Sequence, residues 1–146
     1  MLQGISKILT GDMLKILCDM GHGDTIVIAD ANFPGAGLAK RLIRCPGVNS
    51  SEFLEEIADI FPLDYAYTKH PAAVLDLTPS DVESGMETPE TWKEYTKILG
   101  ERHENFELGK IERFNFYNRT KDAYAVIITG EERIYGDLML TKGVVK

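Results

Sequence analysis

Hydrophobic residues recur along the chain at two spacings, which predict alternating helices and strands. Helical spacing, with capping residues at several starts, covers residues 12–20, 50–61, a segment that begins at residues 88–90, and 112–121. Short segments with several apolar or β-branched residues predict strands at residues 25–29, 41–44, 72–77, 124–129 and 137–140. This alternation is typical of a layered α/β domain with a mostly parallel or mixed sheet.

The connections between these elements are short, and one domain spanning residues 1–146 is expected. The segment at residues 32–37 holds Pro34 and two glycines, so it is predicted to be a loop. Residues 130–136 separate the last two strands. We therefore expect a hairpin or another local pairing of these two strands at one edge of the sheet.

Charge and composition narrow the range of partners. The formal net charge is −7, which argues against a nucleic-acid surface and gives no polybasic patch for anionic lipid. No apolar run approaches membrane-spanning length, and the first nine residues lack the apolar core of a signal peptide. The two cysteines, Cys18 and Cys45, form neither a disulfide framework nor a zinc set, and Cys18 is expected to be a buried thiol. A cytoplasmic protein is the expectation.

Two candidates for chemistry flank the strand at residues 25–29. His22 stands between two glycines that leave room for a ligand, and its imidazole can give and take a proton near neutral pH. A histidine that bonds the last carbonyl oxygens of the preceding helix is an equally open interpretation. Asp30 follows the strand, where α/β sheets place ligands, although it could simply close the next turn through an Asx-type bond.

Further candidates lie in the carboxyl-terminal part. Arg113 has aromatic neighbours and could stack on a ligand or hold one of its oxygens, or it could pair with an acidic residue such as Glu112 or Glu131. The turn Tyr135-Gly136-Asp137 precedes a strand, and its phenol could donate to a sugar oxygen or serve only the turn.

Other sites are less well supported by the residues. His22, Asp24 and Asp30 could bind a divalent metal ion, but only one histidine is present in that set. Gly35-Ala36-Gly37 lacks the third glycine of a dinucleotide-binding fingerprint and does not directly follow the strand. The other two histidines, His70 and His103, are expected to face solvent.

Short motifs in a fixed order extend from end to end of the chain. They are Leu2-x-Gly4-Ile5, Leu14-Lys15-Ile16-Leu17, Met20-Gly21-His22-Gly23-Asp24, Ile28-Ala29-Asp30-Ala31-Asn32-Phe33-Pro34, Arg113-Phe114-x-Phe116-Tyr117, Ala125-Val126-Ile127-Ile128-Thr129-Gly130-Glu131 and Tyr135-Gly136-Asp137-x-Met139-Leu140-x-Lys142-Gly143-Val144. Together they resemble the fucose mutarotase and ribose pyranase family. The Gly-His-Gly-Asp and Asn-Phe-Pro forms are more similar to the fucose branch, and residues 65–102 match loosely.

The resemblance implies a three-layer α/β/α fold and ring-shaped homo-oligomers, commonly decamers, with sites at subunit interfaces. It implies that His22 is the proton donor and that Asp30, Arg113 and the Tyr135-Gly136-Asp137 turn bind the sugar. Asp137 stands where the family usually has asparagine. An ionised aspartate accepts hydrogen bonds but cannot donate them, so a side-chain contact at this position would alter the preferred hydroxyl pattern.

The activity implied by the resemblance is interconversion of the α and β anomers of an unphosphorylated monosaccharide, L-fucose first, with no cofactor and no metal. Interconversion of ribose pyranose and furanose is one alternative. A non-catalytic monosaccharide-binding accessory protein of sugar uptake is another, because the same hydroxyl-binding residues would serve it. A metal-dependent sugar isomerase or aldolase is a third.

Overall fold

The computed structural model describes residues 2–145, which build one six-stranded sheet with helices around it. The strands are β1 Thr25–Ala29, β2 Leu42–Cys45, β3 Ala72–Leu75, β4 Gly109–Ile111, β5 Ala125–Thr129 and β6 Leu138–Thr141. The helices are α1 Gly11–Asp19, α2 Gly35–Leu38, α3 Ser50–Ala58, α4 Pro79–Glu83, α5 Glu90–Gly100 and α6 Arg113–Asp122. The predicted α/β class is therefore confirmed.

The strand order is β2-β5-β1-β6-β3-β4, and β6 runs antiparallel to both of its neighbours while the remaining pairs are parallel. The sheet is thus mixed, as expected. The predicted local pairing of the last two strands is wrong, because β1 lies between β5 and β6 and pairs with both. The strand that is central in space comes first in the sequence, so proximity along the chain is a poor guide to pairing here.

Alternate residues of the strands pack into two separate hydrophobic cores, one on each face of the sheet. Ile26 and Ile28 of β1 pack with side chains of α1, α3 and α5, whereas Val27 and Ala29 pack with Phe116 of α6 on the other face. A period of two is what an extended strand imposes on its side chains. Helices therefore cover both faces, and the three layers are α, β and α.

Several predicted boundaries differ from those observed. The predicted loop at residues 32–37 includes the start of the one-turn helix α2, and α3 ends at Ala58 rather than at residue 61. The cap of α3 is Asn49 rather than a serine, because its side chain accepts the backbone N–H of Glu52. Strand β4 and helix α4 were not predicted from the pattern, since each is too short to produce a clear period.

Three side chains are placed differently from the expectation. Cys18 is exposed, because α1 turns Met13 and Leu17 toward the sheet instead. His70 and His103 are half-buried rather than solvent-facing, and within residues 2–145 one ring nitrogen of each is buried without a hydrogen-bond partner. In the part of the chain that the structure describes, no helix has the length and apolarity needed to cross a membrane.

Candidate functional site

The strand register gathers polar groups at the edge where β1, β3, β4 and β5 end and β6 begins. Leu138 lies opposite Ile28 in the antiparallel β1–β6 pair, so the residue before β6 comes next to the residue after β1. We call this edge, defined by Asp30, Arg113, Tyr135, Gly136 and Asp137, the carboxyl edge. All five residues were predicted from the sequence to bind the ligand.

Asp30 and Asp137 are in direct contact at the carboxyl edge. The backbone N–H of Asp30 donates to Oδ1 of Asp137 at 3.0 Å, and both residues are buried. The Asx-type bond is also present, since Oδ1 of Asp30 accepts the backbone N–H of Asn32 at 2.8 Å. Burial raises the pKa of Asp30 and of Asp137, and the negative charge of Asp30 raises the pKa of Asp137 further.

Gly136 lies between these carboxyls and the core, where no side chain fits. A Cβ atom there would lie 2.8 Å from Cγ of Glu131 and 3.3 Å from Cβ of Asp30. The carbonyl oxygen of Gly136 accepts the hydroxyl of Tyr95 at 2.8 Å, which ties the turn to α5. The backbone at this point is therefore fixed before any ligand arrives.

Tyr135 adopts a positive φ of 62°, and hydrogen bonds at both ends hold it there. Its carbonyl oxygen accepts Nε1 of Trp92 at 3.0 Å and the hydroxyl of Thr91 at 3.1 Å. Its phenol donates to the Asp81 carboxylate and accepts the backbone N–H of Thr78 at 3.4 Å. The phenol predicted to donate to a sugar oxygen thus already donates within the chain.

Asp81, on α4, is a residue of this edge that the sequence analysis missed. Its carboxylate accepts hydrogen bonds from the Thr78 side chain and from Tyr135, and these lower its pKa. Thr78-Pro79-Ser80-Asp81 has the form of a capping box with proline in the first turn. That pattern is the signal that could have revealed both α4 and its carboxylate.

Arg113 begins α6 at the carboxyl edge and is exposed. Its Nε donates to the hydroxyl of Tyr117 at 3.3 Å, and the guanidinium lies 5.8 Å from the centre of that ring. The acidic residues considered as its partners are engaged elsewhere. Glu112 caps α6 through the backbone N–H groups of residues 114 and 115, and Glu131 binds Arg133.

His22 lies at the opposite end of β1, in the turn that precedes the strand. Its Nε2 is 3.4 Å from Oδ1 of Asp64, its ring centroid is 5.1 Å from that of Tyr67, and its side chain is 39% exposed. The alternative role as a helix-end residue is filled by Lys142, whose Nζ donates to the carbonyl oxygens of Leu17 at 2.6 Å and Met20 at 2.7 Å. The imidazole of His22 therefore remains open to solvent.

Asp64 is the group that orients His22, and no sequence pattern pointed to it. Its carboxylate is almost fully buried and accepts the backbone N–H groups of Ala66 at 3.2 Å and Tyr67 at 3.3 Å, and the hydroxyl of Thr68 at 3.0 Å. Burial acts to raise the pKa of Asp64, but the hydrogen bonds from Thr68 and His22 outweigh it and lower the pKa. An ionised carboxylate thus faces the imidazole.

Within one copy of the chain, His22 and the carboxyl edge lie far apart. The five residues of β1 separate them, a rise of about 17 Å along the strand. The metal site considered for His22, Asp24 and Asp30 is not formed, and residues 2–145 hold no group of three or more His, Cys, Asp or Glu side chains suited to a metal ion. Within one copy, a single small ligand therefore cannot contact both His22 and the carboxyl edge.

Comparisons with known proteins agree over nearly the whole length. A family model described as the RbsD / FucU transport protein family matches residues 3–145. The fucose mutarotase of Mus musculus is 46% identical over 97% of this chain and 94% of its own. The fucose mutarotase of Streptococcus pneumoniae, solved in complex with L-fucose, is 38% identical with a TM-score of 0.89 and covers 99% of this chain and 100% of its own. RbsD of Bacillus subtilis, solved with D-ribose, is 28% identical with a TM-score of 0.72, over 100% of both chains.

Proposed function

The chain belongs to the RbsD / FucU transport protein family, and we propose that it acts as a fucose mutarotase, an isomerase that interconverts the α and β anomers of L-fucose. The observation that carries this proposal is the near full-length likeness, in sequence and in fold, to a fucose mutarotase solved with L-fucose bound. The exposed imidazole and the hydroxyl-binding groups of the carboxyl edge support it chemically.

Anomer exchange requires the sugar ring to open at C1 and to close on the other face. Opening breaks the bond between C1 and the ring oxygen, which takes a proton from a general acid, while the C1 hydroxyl gives its proton to a water molecule and becomes the aldehyde oxygen. Closure after rotation about C1–C2 reverses these transfers. Atoms and electrons balance without an oxidant or reductant, so the reaction needs no redox cofactor.

His22 supplies the proton to the ring oxygen in this proposal. An imidazole can both donate and accept a proton, which suits it to this role. Asp64 contacts Nε2 of the ring, and the exposed part of the side chain is left to face the sugar. Asp64 acts as a positioning residue because it touches the imidazole and not the substrate.

The carboxyl edge binds the hydroxyl groups and keeps the open-chain form in place. Asp30 accepts hydrogen bonds from hydroxyls, and Arg113 offers planar donors to the aldehyde oxygen. The turn Tyr135-Gly136-Asp137 shapes the edge, with Tyr135 positioned through Asp81. These groups bind equally well to either anomer when they contact hydroxyls other than the one at C1.

The complete site forms between two copies, with His22 from one and the carboxyl edge from the next. Large apolar side chains are exposed next to both ends: Tyr67 at 81% and Val144 at 56% near His22, and Phe114 at 70%, Val82 at 61% and Ile134 at 60% near the carboxyl edge. Apolar surface of this kind marks protein contacts. We propose a ring-like homo-oligomer, with ten copies as the family expectation.

We place the enzyme in the cytoplasm. Both cysteines are free thiols, Cys18 on the surface and Cys45 in the core, and an exposed thiol persists in a reducing compartment. Its partners are then a free monosaccharide and further copies of itself.

Exchange spectroscopy of the anomeric protons tests the activity directly. Added protein should speed the transfer of magnetisation between α- and β-L-fucose well above the buffer rate. Binding of L-fucose without faster exchange would favour the non-catalytic accessory protein. D-ribose and D-galactose are tested in the same assay. The likeness to a chain solved with D-ribose makes pyranose–furanose exchange the second candidate activity.

A further inference from the structure

We propose that Asp30 and Asp137 hold one proton between them at neutral pH, so that a neutral Asp137 donates a hydrogen bond to one sugar hydroxyl while ionised Asp30 accepts one from its neighbour. The identity of the ligand rests on the proposed function. The shared proton does not, since it follows from the environment of the two carboxyls alone.

The environment of the pair disfavours two charges. Asp30 is 7% exposed and Asp137 is 6% exposed, and a hydrogen bond of 3.0 Å joins the backbone of one to the carboxyl of the other. Two carboxylates that share a buried site cannot both ionise easily, because their repulsion is weakly screened there. Within residues 2–145, no lysine, arginine or histidine nitrogen makes an ion pair with either of them.

The groups that face the pair do not supply the missing positive charge. Glu131, from the connection before β6, adds a further negative charge, and Tyr95 of α5 faces the pair with a phenol. The nearby cation, Arg133, is engaged by Glu131 at 2.8 Å and by Glu94 at 2.7 Å. Retaining one proton is the remaining way to relieve the repulsion.

The hydrogen bonds identify Asp137 as the residue that keeps this proton. Backbone N–H groups of Asn32, Phe33 and Gly136 stabilise a negative charge on the Asp30 carboxylate, whereas Asp137 receives only the N–H of Asp30. Burial and the charge of Asp30 raise the pKa of Asp137. The edge therefore presents a donor beside an acceptor, the pattern that matches two adjacent hydroxyls of a sugar.

Measuring stability as a function of pH tests whether Asp137 keeps its proton, and it needs no ligand. A carboxyl whose pKa is raised in the folded state binds a proton that the unfolded chain has already lost, so stability falls as pH rises above the ordinary aspartate range. Asp137→Asn is isosteric, keeps the acceptor for Asp30 and cannot ionise. We expect the Tm of Asp137→Asn, relative to the Tm of the wild type, to increase as pH rises from 5 to 9.

Asp122→Asn is the matched control, because Asp122 has a side chain 91% exposed and lies away from the carboxyl edge. Its Tm should follow the wild type in parallel across the same range. A constant difference in Tm between Asp137→Asn and the wild type from pH 5 to 9 would contradict the proposal that the pair holds one proton.

L-fucose titrations followed by NMR test the donor role. Wild-type affinity should weaken with rising pH, by up to about tenfold for each unit above the midpoint, as the protonated fraction falls. Asp137→Asn should bind with a nearly flat profile, since an amide donates at every pH. A parallel decline in both proteins would overturn the donor role. Failure of the wild type to bind L-fucose would remove the proposed function and the donor role together, while the stability comparison would still decide the shared proton.

Discussion

The ring of His22, the proposed acid, is positioned by two other side chains. Asp64 contacts Nε2, and the ring of Tyr67 limits the positions that the imidazole can take. The carboxylate is itself held by two backbone N–H groups and one hydroxyl, so its position does not depend on the ligand. Such support for a reacting group is what keeps its geometry productive.

Asp64→Asn is expected to lower the rate constant of anomer exchange by about tenfold, with a small change in KM, because the imidazole loses the charged partner that orients it. Exchange NMR over a range of L-fucose concentrations separates the two parameters. Asp122→Asn serves as the control for removal of one charge. A full rate in Asp64→Asn would show that His22 needs no support from this carboxylate.

Glu131 makes a pH-dependent contribution to stability. Hydrogen bonds from Arg133 lower its pKa from 4.5 to about 2, and Ser50 donates to the same carboxylate at 3.0 Å. A carboxyl with a depressed pKa stabilises the fold above its ordinary pKa, and this contribution is lost as pH falls toward 2.

Glu131→Gln should therefore lower the free energy of unfolding at pH 7 by about 2 kcal/mol, the scale of a hydrogen bond to a charged group. The deficit should shrink when urea unfolding is repeated near pH 3, because the Glu131 carboxyl of the unfolded wild-type chain is then protonated and must lose its proton on folding. Glu132→Gln, at the exposed neighbouring position, should have little effect at either pH. An equal deficit at both pH values would contradict this role of Glu131.

At the residue scale, the sequence is informative where a side chain stands at a recognisable boundary. His22 and Asp30 flank a β-branched run, so the pattern alone marks both as candidates. Asp64 lies in the irregular segment between α3 and β3, and its role exists only through contact with His22, 42 positions away along the chain. Contacts of that kind leave no periodic trace in a single sequence.

At the scale of elements, the short helix α4 controls the position of Tyr135. The Tyr135 phenol donates to Asp81 of α4, while Trp92 and Thr91 of α5 hold the Tyr135 carbonyl oxygen. The turn before β6 is thus clamped between two helices. Because α4 has only five residues and no buried ones, this hydrogen bond is a large part of what attaches it.

Tyr135→Phe removes the hydrogen bond to Asp81 and keeps the ring that packs against Trp92. We expect KM for L-fucose to rise about five- to tenfold, equivalent to the 1–1.5 kcal/mol of one hydrogen bond. Backbone amides of α4 should also exchange with solvent faster than in the wild type. Unchanged amide exchange in α4 together with an unchanged KM would contradict the role of the Tyr135–Asp81 hydrogen bond in attaching α4 to the turn before β6.

The positions of the strands along the chain can be predicted from the sequence more reliably than the pairing of those strands in the sheet. Buried apolar runs predicted β1, β3 and β5 within a few residues, whereas β4 has three residues and no alternation to detect. The order of the strands is decided by packing across the whole sheet. That is why the local pairing expected for β5 and β6 was wrong.

At the scale of the whole molecule, the distance between His22 and the carboxyl edge makes the arrangement of copies part of the mechanism. One copy has the proposed acid at one end of β1 and the proposed sugar-binding groups at the other. In the proposed oligomer, a head-to-tail interface joins the two ends and, when it closes, produces a ring. Both sets of residues, and the strand that separates His22 from Asp30, are recognisable in the sequence. The fold adds which side chains join Asp30 at the far end of that strand.

Co-expression of two inactive variants tests this arrangement. His22→Ala lacks the proposed acid and Asp30→Ala lacks the carboxylate that accepts a sugar hydroxyl, so each alone should be inactive. In a randomly mixed head-to-tail ring, about a quarter of the interfaces pair an intact His22 with an intact Asp30, and activity should return to about that fraction of wild type. No recovery from demonstrably mixed oligomers would show that each site takes both residues from the same copy, which contradicts the head-to-tail arrangement.

The measurement that bears most directly on the account is exchange NMR of L-fucose with His22→Ala. Loss of the general acid should slow anomer exchange by about 100- to 10,000-fold while the circular dichroism spectrum and the affinity for L-fucose stay close to wild type. A wild-type exchange rate in His22→Ala would contradict the account, because the proton would then reach the ring oxygen from another group.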